Sequence, residues 1–326
     1  MTRHLPVLAI LAVCALAGLI VALFAGSVPL TLRDVLDALL SPPASEAQKI
    51  ARDIIWELRL PRALAAFVCG ALLAASGVLL QVLLRNPLAD PYVLGISGGA
   101  ALGALGAMLA GTALTVMHLA AFAGALAAIA IVFVLSFRAG DWNPHRLLLT
   151  GVVLSAGFAA LLSLILAVAP QAQLKGMLFW LLGDLSDAGA SGGAWIVLVL
   201  LIAVFSWCAS SLDALSLGAL KARALGVAVT PLQAAIYAGA AAATVAAVML
   251  GGSIGFVGMM APHALRLLGV HSHRLLLPAA ALAGGIFVLL ADVMARTLWA
   301  PQQLPVGVFT ALVGVPVLLL LLSRKT

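Results

Sequence analysis

Long runs of apolar residues, separated by short polar stretches, dominate the pattern of this chain. A bilayer core about 30 Å thick is crossed by roughly 20 apolar residues in a helix. On that scale the pattern predicts about ten transmembrane helices, of which the eighth is too short to cross comfortably alone. Their predicted limits are 5–25, 60–82, 92–111, 113–137, 147–169, 191–210, 231–250, 255–268, 274–297 and 305–323.

The first apolar run has two interpretations. Arg3 precedes it, as a basic residue precedes a signal peptide, but the run is long for a signal sequence and its end, ALFAGS, is a poor cleavage site. We therefore expect a retained helix. Of the 326 residues, 64% are hydrophobic and 9% are charged, and the mean hydropathy is +1.23. This composition predicts an all-α, polytopic membrane protein with one transmembrane domain over residues 1–326.

Basic residues are distributed unequally between the predicted loops, and their excess indicates which loops are cytoplasmic. Placing the N-terminus in the cytoplasm puts ten of the 17 Lys and Arg residues inside, and the reverse topology fits worse. We therefore expect both termini in the cytoplasm. The pI of about 9.8 reflects this asymmetry and does not indicate nucleic-acid binding. The inside set is Arg3, Arg85, Arg138, Arg146, Lys221, Arg223, Arg266, Arg274, Arg324 and Lys325.

The predicted loop after the second span, RNPLADP, leads into a third span that is crowded with small residues. Its two Xaa-Pro dipeptides are turn formers that end one helix and begin the next. Small residues such as Gly95, Gly98 and Gly99 allow helix backbones to approach closely in membranes. They also suit a helix that slides against its neighbours or borders a wide cavity, and the composition alone fits both interpretations.

The sequence contains no phosphate-binding loop for ATP hydrolysis, because none of its four lysines follows a glycine as G-x-x-x-x-G-K-[ST] requires. Ion-driven transporters usually carry ionisable residues deep in their spans, and the spans here hold few. Asp292 and Arg296 lie one turn apart near the outer end of the ninth span, where an i,i+4 ion pair accounts for them. If the chain moves a cargo, a separate motor is the simplest inference, and an ion-coupled secondary transporter stays the alternative from another class. An intramembrane enzyme would need a nucleophile with a base, or a metal motif such as H-E-x-x-H, and the sequence has neither.

Segment 211–229, SLDALSLGALKARALGVAV, is the longest polar-interrupted stretch expected on the cytoplasmic side. Its pattern predicts two short helices, broken at glycine, with a partly apolar exposed face. Such a face indicates a partner surface, although an interfacial helix resting on lipid headgroups gives the same pattern. The residues that alternate along it are Leu217, Gly218, Leu220, Lys221, Arg223, Leu225 and Gly226.

Other polar residues mark the ends of the spans. Arg59 and Arg62 flank Pro61 at the outer start of the second span, where snorkelling to the interface is the simplest explanation. The fifth span carries Thr150 and Ser155 on an otherwise apolar sequence. The six histidines are scattered, so we expect no metal site from them. The three cysteines lie in apolar runs, where buried hydrophobes are expected.

Four blocks of the sequence closely resemble the FecCD-type permeases, the membrane subunits of ABC importers for iron chelates, heme and vitamin B12. The first block, RLPRALAAFVCGALLAASGVLLQVLLRNPLADPYVLGISGGAALGA, begins at Arg59. The others are LDALSLGALKARALGV (212–227), GGSIGFVGMMAPHALRLLGVHSHRLLLP (251–278) and LLADVMARTLWAPQQLPVGVFTALVGVP (289–316). The resemblance runs in order from about residue 28 to residue 322.

The resemblance implies the architecture of a type II ABC importer permease, with ten transmembrane helices per subunit. It implies a homodimer around a central pathway, two cytoplasmic ATPase subunits and a periplasmic substrate-binding protein. It also implies a place in the bacterial inner membrane, in contact with lipid. The chain is then a transport subunit rather than an enzyme, with no cofactor. The cargo we expect is an iron chelate, either a ferric siderophore or heme, with vitamin B12 as the alternative.

The resemblance also implies roles for individual residues. Arg59, Arg62 and Arg296 correspond to arginines that form salt bridges with acidic residues of the binding protein, and 212–227 corresponds to the coupling helices. The loop RAGDWNPHR (138–146) corresponds to the narrow inner mouth of the pathway. The pathway and gate candidates are Asn143, His145, Thr150, Ser155, Gly95, Gly98 and Gly99.

Three positions depart from the family pattern. Gln303 stands where an acidic residue is usual, so a salt bridge at that position is in question. The usual aromatic residue after G-x-P near the C-terminus is absent. The coupling segment also lacks the acidic residue that is common near Ala219.

Overall fold

The structure is a computed structural model that describes residues 5–26, 28–43, 45–138, 141–189 and 191–323. Each of the ten predicted spans contains a helix, so the all-α prediction is confirmed. These helices are α1 (Leu5–Phe24), α4 (Leu60–Leu84), α5 (Ile96–Leu109), α6 (Leu114–Ser136), α7 (Pro144–Val168), α9 (Gly192–Trp207), α12 (Val229–Gly251), α13 (Val257–Leu267), α14 (His273–Thr297) and α15 (Val306–Ser323).

Shorter helices occupy the segments between the predicted spans. They are α2 (Leu32–Leu40), α3 (Glu46–Asp53), α8 (Gln171–Leu182), α10 (Ala209–Ser216) and α11 (Ala219–Ala224). A π-helical turn over Ile54–Arg59 leads into α4, and a 3₁₀ turn over Pro91–Leu94 precedes α5. Within the described residues, the only strands are β1 (Phe137–Arg138) and β2 (Asp141–Trp142), which pair antiparallel.

Helix length separates full spans from partial ones. By length and composition, six helices of the described residues could cross a membrane, or seven if α9 and α10, which meet at a 69° bend, form one span. Helix α13 is short, as expected, with 11 residues. Helix α5 has only 14 residues, because Gly95 adopts φ +71° and separates it from the 3₁₀ turn where the prediction began. The predicted span of 92–111 was therefore too long.

Helix α4 lies at the centre of the molecule and is buried on nearly every side. It packs against α14, α12 and α13. A Cβ at Gly70 would collide with the carbonyl oxygen of Gly284 in α14, and one at Gly77 would collide with that of Gly258 in α13. Glycine is therefore required where these backbones meet, as in other membrane helix pairs. Ser76 adds a buried hydrogen bond, 2.8 Å from the hydroxyl of Thr244 in α12.

Helices α5, α6 and α7 form a second packed group. Gly99 of α5 and Gly124 of α6 approach each other so closely that a Cβ on either would strike the backbone of the other. Gly98 faces the Phe158 ring of α7. The packing interpretation of these glycines is therefore confirmed.

Helix α8 was missed by the sequence analysis, which treated its residues as a loop. Pro170 precedes it and Gly183 follows it, and this order of Pro and Gly is a usual start and stop signal. The turn after α8 is held by two backbone hydrogen bonds: Val306 N–H donates to Gly183 O at 2.8 Å, and Asp184 N–H donates to Gly251 O at 2.9 Å.

Candidate functional site

The two ends of α4 define two candidate surfaces. Arg62 lies in its first turn and Arg85 directly follows its last residue, so the sequence-predicted outer and cytoplasmic groups lie at opposite ends of one central helix. Three of the basic residues used to predict the orientation, Arg3, Arg324 and Lys325, lie outside the described residues.

At the predicted outer end, Arg59 binds the end of α1. Its Nη1 donates to the carbonyl oxygens of Leu23 and Phe24 at 2.6 and 2.9 Å, and its Nη2 donates to Val28 O at 2.5 Å. The last carbonyls of a helix have no partner within the helix and carry partial negative charge. Arg59 supplies that missing partner and fastens α1 to the start of α4.

Arg62 and Arg296 share one buried carboxylate. Asp292 is 0% exposed; its Oδ1 lies 2.8 Å from both Nε and Nη2 of Arg62, and its Oδ2 lies 3.3 Å from Nε of Arg296. The predicted i,i+4 pair of Asp292 and Arg296 is confirmed. Arg62 Nη1 also donates to Oε1 of Gln303 at 2.6 Å, so this amide accepts a hydrogen bond at the position where the family usually has a carboxylate.

The side chains of Arg59, Arg62 and Arg296 are buried rather than displayed as a rim of free charges, whereas Gln303 is exposed. Arg59, Arg62, Arg296 and Gln303 line a cavity of about 140 Å³. Three arginines and one aspartate leave an excess of two positive charges in this cluster. We name it the outer arginine cluster. The docking role of its members stays a prediction.

At the predicted cytoplasmic end, α10 and α11 form the expected pair of short helices. They meet at Leu217 and Gly218, and Gly218 has φ +114°. The side chains of Leu217, Leu220 and Leu225 are 61%, 81% and 67% exposed. The prediction of two helices broken at glycine with an apolar exposed face is confirmed. We name residues 209–226 the coupling segment; its contact with an ATPase stays a prediction.

Lys221 and Arg223 are also exposed on this segment, and Gly226, with φ +82°, ends it. The one acidic residue of the segment, Asp213, has a different role that the sequence analysis missed. Its Oδ1 accepts from the backbone N–H of His273 at 3.0 Å and lies 2.5 Å from Nδ1 of the same residue. Its Oδ2 accepts from Ser272 Oγ at 3.4 Å.

This carboxylate caps α14 from another helix. Ser272, at the N-cap position of α14, makes no side-chain capping bond of its own. Asp213 supplies the missing acceptor and places a negative charge at the positive end of the helix dipole. No local sequence signal indicates this contact, because the partners are 60 residues apart.

The structure brings together only some of the pathway candidates. A Cβ at Gly95 would lie 3.5–3.7 Å from Leu154 and Ser155, and Gly98 faces Phe158, so these positions meet where α5 packs on α7. Gly99 faces α6 instead. Thr150 lines a shallow, otherwise apolar groove of about 380 Å³ along α7.

Asn143 and His145 lie apart from this contact, at the start of α7. Asn143 Oδ1 accepts from the backbone N–H groups of His145 and Arg146 at 3.0 and 3.2 Å, so Asn143 is the N-cap of the helix. His145 is exposed. Two residues of the predicted gate loop, 139 and 140, lie outside the described residues.

A cavity of about 700 Å³ at the predicted outer end was not expected from the sequence. It lies between α8 and the ends of α5, α6 and α12, and His118, Lys175, Trp180 and Asp184 line it. Among the residues that the structure describes, no three His, Cys, Asp or Glu side chains lie close enough to hold a metal ion. The expectation that the pathway binds no metal stays a prediction.

Comparison with solved structures supports the fold. A protein described as a metal-chelate type ABC transporter, in an inward-facing conformation, superposes with a TM-score of 0.83 and 28% identity over 99% of this chain and 100% of that chain. PsaBC from Streptococcus pneumoniae, in complex with Fab, has a TM-score of 0.54 at 16% identity, over 86% of this chain and 96% of that chain, and shows similarity of fold alone.

Sequence comparison gives the family. Relatives include the vitamin B12 import system permease protein BtuC of Shigella sonnei (strain Ss046) and of Escherichia coli O139:H28 (strain E24377A / ETEC). Each is 38% identical over 275 residues, which are 83% of this chain and 83% of the relative. The model of the FecCD transport family matches residues 13–324. This chain therefore belongs to the FecCD transport family, as a permease of an ABC importer.

Proposed function

We propose that two copies of this chain form a pathway in the bacterial inner membrane that moves an intact metal chelate into the cytoplasm. Both termini then lie in the cytoplasm, as the distribution of basic residues favours. Two ATPase subunits bind the coupling segments, and a periplasmic binding protein delivers the cargo at the opposite end of α4.

The exposed coupling segment is the observation that carries this proposal. Leu217, Leu220 and Leu225 are largely exposed beside the basic residues Lys221 and Arg223. Exposed apolar residues rimmed by polar ones are typical of a surface that a partner covers. The chain has no phosphate-binding loop, so the energy has to enter through a partner, and this segment is the surface that fits one.

The outer arginine cluster supports docking of the binding protein. Its two excess positive charges attract carboxylates, and arginine binds carboxylates in a bidentate geometry. Because the arginines also bind Asp292 and the end of α1, they are held rigidly before any partner arrives. Charges arranged in this way favour fast, correctly oriented association more than raw affinity.

Helix α7 supports a pathway shared with a second copy. In the second half of this helix, Ala156, Ala159 and Ser163 are exposed along one flank, whereas Leu161 and Leu164 are exposed along the other. Because an α-helix has 3.6 residues per turn, these two sets of side chains lie on different sides of α7. The flank of small residues leaves room for a bulky cargo, and the flank of large apolar residues suits lipid or a second subunit.

The cargo we propose is a bulky chelate whose metal already has its own ligands. Selectivity then lies in the binding protein, because a pathway that held the cargo tightly would not release it. The resemblance placed iron chelates first, with vitamin B12 as the alternative. The BtuC relatives are named for vitamin B12 import, so we place cobalamin first and keep ferric siderophore and heme as the competing cargos.

Uptake into proteoliposomes tests this function. Vesicles containing the permease, its ATPase and its binding protein should accumulate labelled cobalamin with ATP inside, and should accumulate ferric siderophore or heme at least tenfold more slowly. In the Leu217→Asp/Leu220→Asp variant, burying two carboxylates in the contact costs several kcal/mol, so the ATPase should no longer co-purify.

Faster uptake of an iron chelate would reassign the cargo. Uptake driven by an ion gradient without ATP would instead identify a secondary transporter.

A further inference from the structure

A basic cavity of about 300 Å³ lies beside the coupling segment, at the end of α4. Its polar lining comes from Gln81, Arg85, Asn86, Ser216, Arg266, His271 and His273. Among the described residues that line it, two are arginines, two are histidines and none is acidic. This concentration of basic groups is not used by any part of the function described above.

The acceptors near the cavity are already occupied. Asp213, whose carboxylate contacts His273, also accepts from the backbone N–H of His273 and the hydroxyl of Ser272. Arg266 Nη1 donates to Gln81 Oε1. Gln81 Oε1 carries no formal charge and the Asp213 carboxylate contacts the start of α14, so among the described residues no carboxylate pairs directly with Arg85 or Arg266.

His273 leaves one buried nitrogen without a partner. The residue is 4% exposed, and it lines the cavity. Its Nδ1 contacts Asp213, whereas its Nε2 is buried and has no hydrogen-bond partner among the described residues. A buried polar atom without a partner destabilises the protein, because it has lost its hydrogen bonds to water. Nδ1 donates to the Asp213 carboxylate, so Nε2 is an acceptor in the neutral imidazole, and it donates to an entering carboxylate only when His273 is doubly protonated.

The cavity adjoins the surface that we assign to the ATPase. Ser216, the last residue of α10, belongs to its lining. A Cβ at Gly218 would lie 3.6 Å from Nη1 of Arg85, so this guanidinium lies against the junction of α10 and α11. Lys221 and Arg223 of the coupling segment are exposed and basic. The single acidic residue of the segment, Asp213, contacts α14 instead.

We propose that this cavity receives an aspartate or glutamate side chain of the ATPase subunit when the subunit covers Leu217 and Leu220. The inference rests on the proposed function and specifies the chemistry of that partner: an acidic side chain beside an apolar cleft. Arginine and carboxylate form charge-assisted, often bidentate hydrogen bonds. A lipid phosphate has the same charge, but the cavity borders the junction of α10 and α11, which the partner covers.

Affinity measurements on purified complexes test the proposal. Arg85 and His271 are both exposed, and their side chains form no hydrogen bond or ion pair with the residues that the structure describes, so Arg85→Gln, His271→Gln and the double variant should fold normally. We expect the double variant to bind the ATPase at least tenfold more weakly at low salt, with a shallower dependence on salt because fewer charges are paired. Arg274→Gln is the matched control: Arg274 is exposed and close in sequence but does not line the cavity.

A charge swap identifies the partner group. Arg85→Glu should abolish tight binding, and replacing one ATPase carboxylate by lysine should restore it. If Arg85→Gln/His271→Gln binds normally while Leu217→Asp/Leu220→Asp does not, the carboxylate proposal is overturned and the docking proposal stands. Normal binding by all variants would overturn both. A defect that appears only in vesicles containing anionic lipid, and not in neutral detergent, would identify a lipid headgroup as the occupant and would overturn the proposal.

Discussion

Asp292 shows how far a single residue can be understood from sequence. Its spacing to Arg296 predicts an ion pair, because residues four apart share a helix face. Its stronger contact, with Arg62, lies 230 residues away, and Gln303 completes the group. Buried charges of this kind require partners, so the sequence indicates that a partner exists. Which arginine supplies it depends on the packing of α4 against α14, which no local pattern encodes.

Asp90, in the turn between α4 and α5, gives a prediction on pH. Burial raises the pKa of Asp90 from 3.8 to about 6, against the opposing hydrogen bond from Tyr92 N–H. As the pH rises from 3.8 to 6, the unfolded chain ionises while the folded chain stays protonated, so stability is lost over that range. Above pH 6 the Asp90 carboxylate is ionised in both the folded and the unfolded chain. Its burial then lowers the free energy of unfolding by a constant amount, on the order of 2–3 kcal/mol.

Asp90→Asn should therefore raise the thermal midpoint in detergent by several degrees at pH 7.5 and have little effect near pH 4. Asp34 is the control with the opposite sign, because hydrogen bonds from the side chain and backbone of Thr31 lower its pKa. Asp34→Asn should slightly lower the midpoint at pH 7.5. An equal shift from Asp90→Asn at both pH values would show that burial of charge is not the cause.

Helix α14 connects the two candidate surfaces at the scale of elements. Its first residue, His273, is held by the coupling segment through Asp213, and its last turn carries Arg296 of the outer arginine cluster. With 25 residues it spans about 37 Å. Hydropathy predicts this helix within one residue at its start. The capping contact with Asp213 could not be predicted, because it joins two elements that are distant in sequence.

Removing the contact between Asp213 and His273 should weaken the mechanical connection between the coupling segment and the outer arginine cluster. In Asp213→Ala, the start of α14 loses its capping acceptor and His273 Nδ1 loses its hydrogen-bond partner. We expect binding of the ATPase to stay within about twofold of normal, whereas cargo moved per ATP should fall severalfold. Hydrogen exchange should show weaker protection in the first turn of α14, because a lost cap costs about 1 kcal/mol. Ser210→Ala, at an exposed position on the same α10 helix, is the control. Unchanged protection and unchanged stoichiometry would show that the contact is incidental.

Elements that lie outside the long apolar runs were the least predictable. Helix α8 is short, and its apolar residues do not reach the length of a span. Helix α5 begins later than expected because Gly95 takes a left-handed conformation. Glycine adopts both left-handed and right-handed conformations readily, so its presence in the sequence does not show which one it takes. The coupling segment was predictable because its exposed leucines are separated by glycines and basic residues. Hydropathy therefore identifies where helices are, and turn chemistry decides where they begin.

At the scale of the whole molecule, the burial of individual helices follows their composition only in part. Helices α4 and α7 are similarly apolar, each with 25 residues, yet α4 is buried on nearly every side and α7 is largely exposed. In a membrane, apolar residues suit lipid as well as a protein core. Hydropathy therefore does not explain why α7 is exposed while α4 is buried. We propose that α7 is exposed because its small flank borders the pathway and its large flank contacts lipid or a second copy.

Bulky substitutions on the two flanks of α7 should have different effects on transport. Ala159→Trp fills space on the flank of small residues, so uptake in proteoliposomes should fall at least tenfold while co-purification with the ATPase and basal ATP hydrolysis persist. Leu164→Trp is the matched control, because Leu164 is exposed on the large apolar flank, where lipid or a second copy accommodates an indole. Its uptake should stay within about twofold of normal.

Both variants must elute as a single species in detergent, which separates a blocked pathway from misfolding. Equal losses from the two substitutions would place the pathway elsewhere, whereas loss from Leu164→Trp alone would assign the large flank to the pathway.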